Sequence, residues 1–209
     1  QTYPEGKSKY RVTNYRNNFN LRISKITLAD GGTYKCSTIT EQKSAYLLVF
    51  GKLSILVSPT NLVENETALF RCEAKFSGPT NDQISNDDLP RFRMFYVNDS
   101  KTELPAIGFT EPMGYTLTRV LEYNATIDVQ MHGQKLGCEF GNNNTKVNVT
   151  KYSTLNILYT PREVTFHPLS NVYVVGREIS CSVDGNPAPK FTWKNKEGME
   201  QRGKKTENH

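Results

Sequence analysis

The chain has 209 residues, a net charge of +5 and 36% hydrophobic residues, enough for two average domains with real cores. Its basic residues are interspersed with acidic ones (Lys43 near Glu41, Arg71 near Glu73, Arg162 beside Glu163, and Glu197 and Glu200 inside the run from Lys194 to Lys205), which argues against a nucleic-acid stripe and for a solvated surface. No apolar run reaches the roughly 18 residues of a membrane helix and no secretory leader is visible, which means little if the sequence is an internal fragment of a longer parent.

The elements read as short strands. Thr, Val, Tyr, Phe and Ile alternate with polar residues in Asn20–Ile23, Ala45–Val49 and Lys190–Trp193. Turn residues separate such runs at Asp30-Gly31-Gly32, Ser77-Gly78-Pro79 and Asp184-Gly185-Asn186-Pro187. With no helical pattern between strands, the fold class is all-β, a sandwich type. The four cysteines, Cys36, Cys72, Cys138 and Cys181, form no CxxC pair and fit no zinc spacing; each lies in a strand-like run, which points to sandwich-spanning disulfides in an oxidising compartment.

In chain order, the first stretch runs Leu21-Arg22-Ile23 to Asp30-Gly31-Gly32-Thr33-Tyr34-Lys35-Cys36. Leu21 and Ile23 alternate inward, Asp30-Gly31 makes a corner, and Tyr34 stands two residues before the cysteine. This resembles the E strand, E–F turn and F strand of a variable-type immunoglobulin domain. The resemblance implies a tyrosine corner at Tyr34, an inward Cys36 that meets a strand-B cysteine, and a basic partner for Asp30, either Lys9 or Arg11. Ala45, Leu47 and Val49 then read as the inward residues of strand G.

The second stretch resembles a whole C2-type domain, with Leu69-Phe70-Arg71-Cys72 as strand B and Leu136-Gly137-Cys138 as strand F. Pro90-Arg-Phe-Arg-Met94 aligns with Pro189-Lys-Phe-Thr-Trp193, so Met94 stands where the family packs a tryptophan on its disulfide, and Leu136 stands at the corner-tyrosine position. The polar residues Gly78 to Leu89 read as a surface insertion. By the resemblance Cys72 and Cys138 are bonded. The third stretch, Val174 to Cys181 and Gly185 to Trp193, resembles strands B and C of a further domain, with Trp193 12 residues after Cys181.

The expected organisation is therefore immunoglobulin-like β-sandwiches in tandem, one complete and two partial. Residues 1–51 are the C-terminal half of a V-type domain, 52–159 a complete C2-type domain, and 160–209 the N-terminal half of a C2/I-type domain. The joints Phe50-Gly51-Lys52 and Tyr159-Thr160-Pro161 are short, which favours a semi-rigid rod. The first part supplies strands D–G and the last A–C, two complementary sets, with Cys36 and Cys181 at opposite poles of one chain.

Sequons occur at Asn65, Asn98, Asn124, Asn143 and Asn148, candidate glycosylation sites in a chain whose 19 asparagines also produce sequons by chance. His132, His167 and His209 are far apart and lack metal or acid–base neighbours, and Asp87-Asp88 sits in the polar loop. No nucleophile elbow or phosphate loop appears. The expectation is no enzyme, no catalytic or metal residues and no cofactor. Alternation places Thr33, Lys35 and Ser37 outward on strand F and Tyr46 and Leu48 outward on strand G, a candidate partner-binding face with Tyr46 as an aromatic anchor; the plainer reading packs Leu48 on the neighbouring domain.

The V–C2–C2 order resembles adhesion receptors of the nephrin/irregular-chiasm group and the nectin and nectin-like molecules. It is carried by Tyr10-Arg-Val-Thr, Asn20-Leu-Arg-Ile, Tyr34-Lys-Cys36, Thr116-Leu-Thr-Arg-Val-Leu121, and Tyr159-x-Pro161 with Val164-Thr165. It implies a single-pass parent, anchored outside these residues on the extracellular side of the plasma membrane, that binds another protein ectodomain homophilically or heterophilically, with no nucleic-acid partner. Competing expectations are a secreted immune-recognition protein, a receptor-kinase ectodomain and an intracellular muscle-type repeat.

Overall fold

The computed structural model describes residues 9–16, 18–78, 90–97, 101–113, 116–142, 147–169 and 172–201. Strands dominate them; the helical turns among these residues are the 3-10 turns Leu28–Asp30 and Val129–Met131. The all-β expectation holds.

The first group has two ladders. β1 (Tyr10–Tyr15) pairs with β2 (Asn18–Ile23), and β3 (Gly32–Ser37) with β4 (Gln42–Leu47), both antiparallel. The central group is a full sandwich. One sheet contains β5 (Val49–Ser58), β7 (Thr67–Ser77), β10 (Thr116–Thr126) and β9 (Ile107–Met113), in that order; the other contains β12 (Val147–Thr154), β11 (Lys135–Asn142) and β8 (Arg91–Val97). In the third group β13 (Ile157–His167) pairs antiparallel with β14 (Ser180–Asn186) and parallel with the short β6 (Leu62–Val63), while β15 (Trp193–Lys194) pairs with β16 (Glu200–Gln201).

The central core follows from period-two alternation. β7 turns Ala68, Phe70, Cys72, Ala74 and Phe76 inward, and all five are buried. They meet Leu136, Cys138 and Phe140 of β11 and Met94 of β8, also buried. Cys72 and Cys138 form a disulfide between the sheets, with Cα atoms 6.2 Å apart. Met94 is fully buried and lies across the ladder from Cys138. The flexible thioether fills this position of the core beside the disulfide.

Continuous strands carry the chain past both expected joints. β5 starts at Val49, which pairs with Ser77 of β7. Val49 is therefore not the last inward residue of the first group's G strand: β4 ends at Leu47, and the chain crosses into the central sheet two residues later. The 3-10 turn of the first group packs onto this crossing. The buried Ser77 hydroxyl donates to the Leu28 carbonyl, and Leu28 lies so close to Gly51 that a Cβ there would stand 3.1 Å from Leu28 Cδ1 and from the Lys75 carbonyl oxygen. At the other end the Glu64 N–H donates to the Leu158 carbonyl (2.9 Å), and the Arg162 guanidinium donates to the Glu64 carboxylate. The Tyr159 hydroxyl donates to Asp184 Oδ1 (2.7 Å), and Asn186 Nδ2 donates to the Ile157 carbonyl (2.6 Å).

Candidate protein-interaction surface

The β3–β4 hairpin carries most of the outward residues expected from sequence. Its register sets Thr33 opposite Tyr46, Lys35 opposite Ser44 and Ser37 opposite Gln42. Residues directly opposite in an antiparallel ladder share a face. Thr33, Lys35, Ser37 and Tyr46 are exposed and form one face, with Tyr46 showing 49% of its surface. Leu48 is not part of it. It is half-buried, with Cδ2 against the Gly78 backbone, because the chain is already entering β5 there. The plainer reading of Leu48, a residue packed on its neighbour, is the one the structure shows.

Sequence reasoning missed the tip of this hairpin. The Thr38 N–H donates to the Glu41 carbonyl (2.7 Å), while Thr38 Oγ1 accepts the Glu41 N–H (2.9 Å), closing a tight turn. That turn projects Ile39 wholly into solvent. The signal was present: one apolar residue between Thr38 and Thr40, in a stretch that interrupts two alternating runs.

The corner below the hairpin holds it in place. Tyr34 donates its hydroxyl to the Asp30 carbonyl oxygen (2.8 Å), the tyrosine corner that the resemblance implies. The buried Asp30 carboxylate accepts from Lys9 Nζ, the Tyr10 hydroxyl (2.8 Å), the Thr27 N–H (2.7 Å) and Thr27 Oγ1 (2.9 Å). Lys9, and not Arg11, is its basic partner. The Lys9 ammonium, followed by the Thr27 backbone N–H, holds the Asp30 carboxyl well below the usual carboxylate range. The same carboxylate, by accepting the Tyr10 hydroxyl, pushes the Tyr10 phenol up to about 12.

The signs define a pH window. A depressed Asp30 contributes stability that is complete above its unfolded value of about 3.9 and fades as pH falls below it. A raised Tyr10 contributes below its unfolded value of about 10, and that contribution fades as pH rises towards 12. Amide exchange at Thr27 and Gly31 should therefore stay slow between about pH 4 and 10 after correction for intrinsic rates, and quicken outside that range. Asp30→Asn should abolish the acid-side change; an Asp30→Asn profile identical to the parent's would refute this account.

The remaining candidate residues are dispersed. Asn65 is exposed on a turn at φ +66°, and Asn124 and Asn148 are exposed on β10 and β12. Asn98 and Asn143, with Asp87, Asp88 and His209, lie outside the described residues. His132 is structural: its Nδ1 accepts the Ile157 N–H (3.1 Å) and its ring meets Tyr159 edge-on at 5.6 Å. Exposed His167 lies 3.5 Å from Thr165 Oγ1. Among the described residues no group of three His, Cys, Asp or Glu side chains is placed to hold a metal ion, and no helix is long and apolar enough to cross a membrane.

Neither a family model nor a curated relative matches this sequence. Solved structures do. The full ectodomain (Ig1–Ig3) of mouse nectin-like molecule 4 superposes with a TM-score of 0.59 at 18% identity, covering 95% of this chain and 68% of that one. The Rst D1-D2 structure superposes with a TM-score of 0.44 at 12% identity, covering 73% of this chain and 77% of that one. The first likeness shows the fold, immunoglobulin-like β-sandwiches in tandem.

Proposed function

We propose that this chain belongs to the ectodomain of a cell-surface recognition receptor and binds another protein ectodomain through the outer face and tip of the β3–β4 hairpin. The observation that carries the reading is a rigidly cornered hairpin that presents half-exposed Tyr46 beside Thr33 and a wholly exposed Ile39 at its tip. Aromatic and apolar anchors on pre-ordered elements are the usual centres of protein interfaces, because little side-chain entropy is lost when they dock. The fold likeness to the full ectodomain of a nectin-like molecule supports the same reading. The division at residues 51/52 and 159/160 belongs to it, as does glycosylation at Asn65, Asn124 and Asn148, whose exposed side chains leave room for a glycan. Enzymatic deglycosylation should raise the gel mobility of chain secreted from animal cells.

The test is binding by the secreted chain displayed on beads, read as bead–bead aggregation and as capture of individual ectodomains from an arrayed set. Tyr46→Ala together with Ile39→Ser should weaken the pairing at least tenfold, as expected for two interface anchors. Thr60→Ala, exposed and far from the hairpin, should leave it unchanged. No aggregation and no captured ectodomain, or full binding by the double variant, would overturn the assignment.

A further inference from the structure

In the central sandwich Ala68, Phe70 and Cys72 of β7 point into the core, so Leu69, Arg71 and Glu73 point outward. The ladders carry this outer face across to β9. Arg71 stands opposite Glu122 of β10, and Glu122 opposite Ile107 of β9. Phe109 is the next outward residue along β9. One outward step the other way along β10 is Asn124, directly opposite Leu69.

The charges on this face neutralise one another. Arg71 Nε donates to Glu73 (2.7 Å) and Nη1 to Glu122 (2.6 Å), and Nη2 lies 3.8 Å from Glu111. The guanidinium carbon stands 5.8 Å from the Phe109 ring centroid. The apolar residues beside this cluster stay open: Ile107 is 75% exposed and Phe109 37%. Both lie on β9, an outer strand of its sheet, where bare apolar side chains invite pairing with other chains.

Asn124 opens the sequon Asn124-Ala125-Thr126. Asn124 and Thr126 are exposed on the outer face, and Ala125 between them is buried. Asn65 lies on a turn and Asn148 on β12 of the opposite sheet, so among the described sequons Asn124 alone belongs to this face. Cβ atoms of directly opposed residues stand about 5 Å apart, so a sugar on Asn124 starts beside Leu69 and one outward step from the Glu122–Ile107 pair.

We propose that an N-linked glycan on Asn124 lies back along β9 and covers this face, its first two N-acetylglucosamine units packed on Ile107 and Phe109. This rests on glycosylation of Asn124 and adds where the glycan lies. A pyranose ring suits the surface: its C–H bonds meet the apolar side chains and shed water, while its hydroxyls reach the Arg71 and Glu122 ion pair. The link forms between Asn124 Nδ2, which loses a proton, and C1 of the sugar in a lipid-diphosphate-linked oligosaccharide; the C1–O bond to the diphosphate breaks and the lipid diphosphate leaves.

The experiment uses the full chain secreted from animal cells, with occupancy of each sequon read by peptide mass spectrometry. A peptide N-glycosidase acting on the folded chain should release the Asn124 glycan about tenfold faster from the Ile107→Thr, Phe109→Thr double variant than from the parent. Release from Asn65 and Asn148 should not change. Thr126→Ala removes the sequon without touching Asn124, and should lower the melting midpoint of the central sandwich by about 4 °C in the parent and leave it unchanged in the double variant. Thr126→Ser keeps the sequon and should match the parent. An unmodified Asn124 would overturn the proposal together with the glycosylation assigned to that residue. A modified Asn124 with equal release rates and equal midpoint changes in both backgrounds would overturn the packing alone. The β3–β4 hairpin contains none of these residues, so its binding test succeeds or fails separately.

Discussion

Cys72→Ala with Cys138→Ala should lower the stability of the central sandwich by about 4 kcal/mol and its melting midpoint by about 20 °C. The bond closes a loop of 66 residues, and the unfolded chain gains that loop's freedom once the link is gone. A domain of this size is held by only about 5–15 kcal/mol, so the variant should sit near its unfolding limit at body temperature. Both cysteines are fully buried between the sheets, so alanine also removes two sulfur atoms from a packed core. Cys72→Val with Cys138→Val restores most of that volume and isolates the effect of the cross-link. Urea unfolding followed by circular dichroism measures both variants. A midpoint within about 5 °C of the parent's for the alanine pair would show that packing, and not the bond, holds the two sheets together.

The fold was legible because its signals are local. Asp30, Tyr34 and Cys36 each occupy a place with a mechanical cause, and the Tyr34–Asp30 hydrogen bond is where the pattern puts it. What the sequence hid lies at crossings between elements. Alternation from Ala45 through Val49 looks like one strand, yet the ladder changes partners after Leu47, because Val49 pairs with Ser77. That change turned Leu48 from a surface candidate into a joint residue. The choice between Lys9 and Arg11 for Asp30 was equally hidden, since both are cations and only the start of β1 decides which one reaches the carboxylate.

Phe95 shows a second limit of alternation. Met94 faces the core, so Phe95 faces out, and an outward residue is expected to be exposed. It is 1% exposed. Its ladder partner is Gly137, whose missing side chain leaves bare backbone for the ring to lie on; a Cβ there would stand 2.6 Å from the ring. Tyr152 meets that ring edge-on at 6.4 Å, and the Arg93 and Lys101 cations stand 5.4 Å from its centroid. Burial on a sheet's outer face thus needs a glycine across the ladder and long side chains to roof it, a pairing that no single strand reveals.

Phe140→Ala should destabilise the central sandwich by about 3–5 kcal/mol, comparable to losing the disulfide. Phe140 is 2% exposed, and its ring centroid lies 5.3 Å from those of Phe50 and Phe76 and 5.5 Å from that of Phe92. Two of the three contacts are edge-to-face, the geometry that ring quadrupoles favour. These rings come from β5, β7 and β8, so the packing of several strands depends on one side chain, and a close-packed core refills such a cavity only in part. Phe140→Leu keeps most of the volume and should cost about 1.5 kcal/mol or less. Phe95→Ala should cost less than Phe140→Ala, because water enters a gap on the outer face, whereas the gap at Phe140 stays empty. Thermal unfolding of the three variants gives the ranking. Phe50 adjoins Gly51, against which Leu28 packs, so the cavity at Phe140 should also speed amide exchange at Gly31 in the neighbouring 3-10 turn. An unchanged rate at Gly31 in a destabilised Phe140→Ala would show that the first joint does not draw its order from the central core.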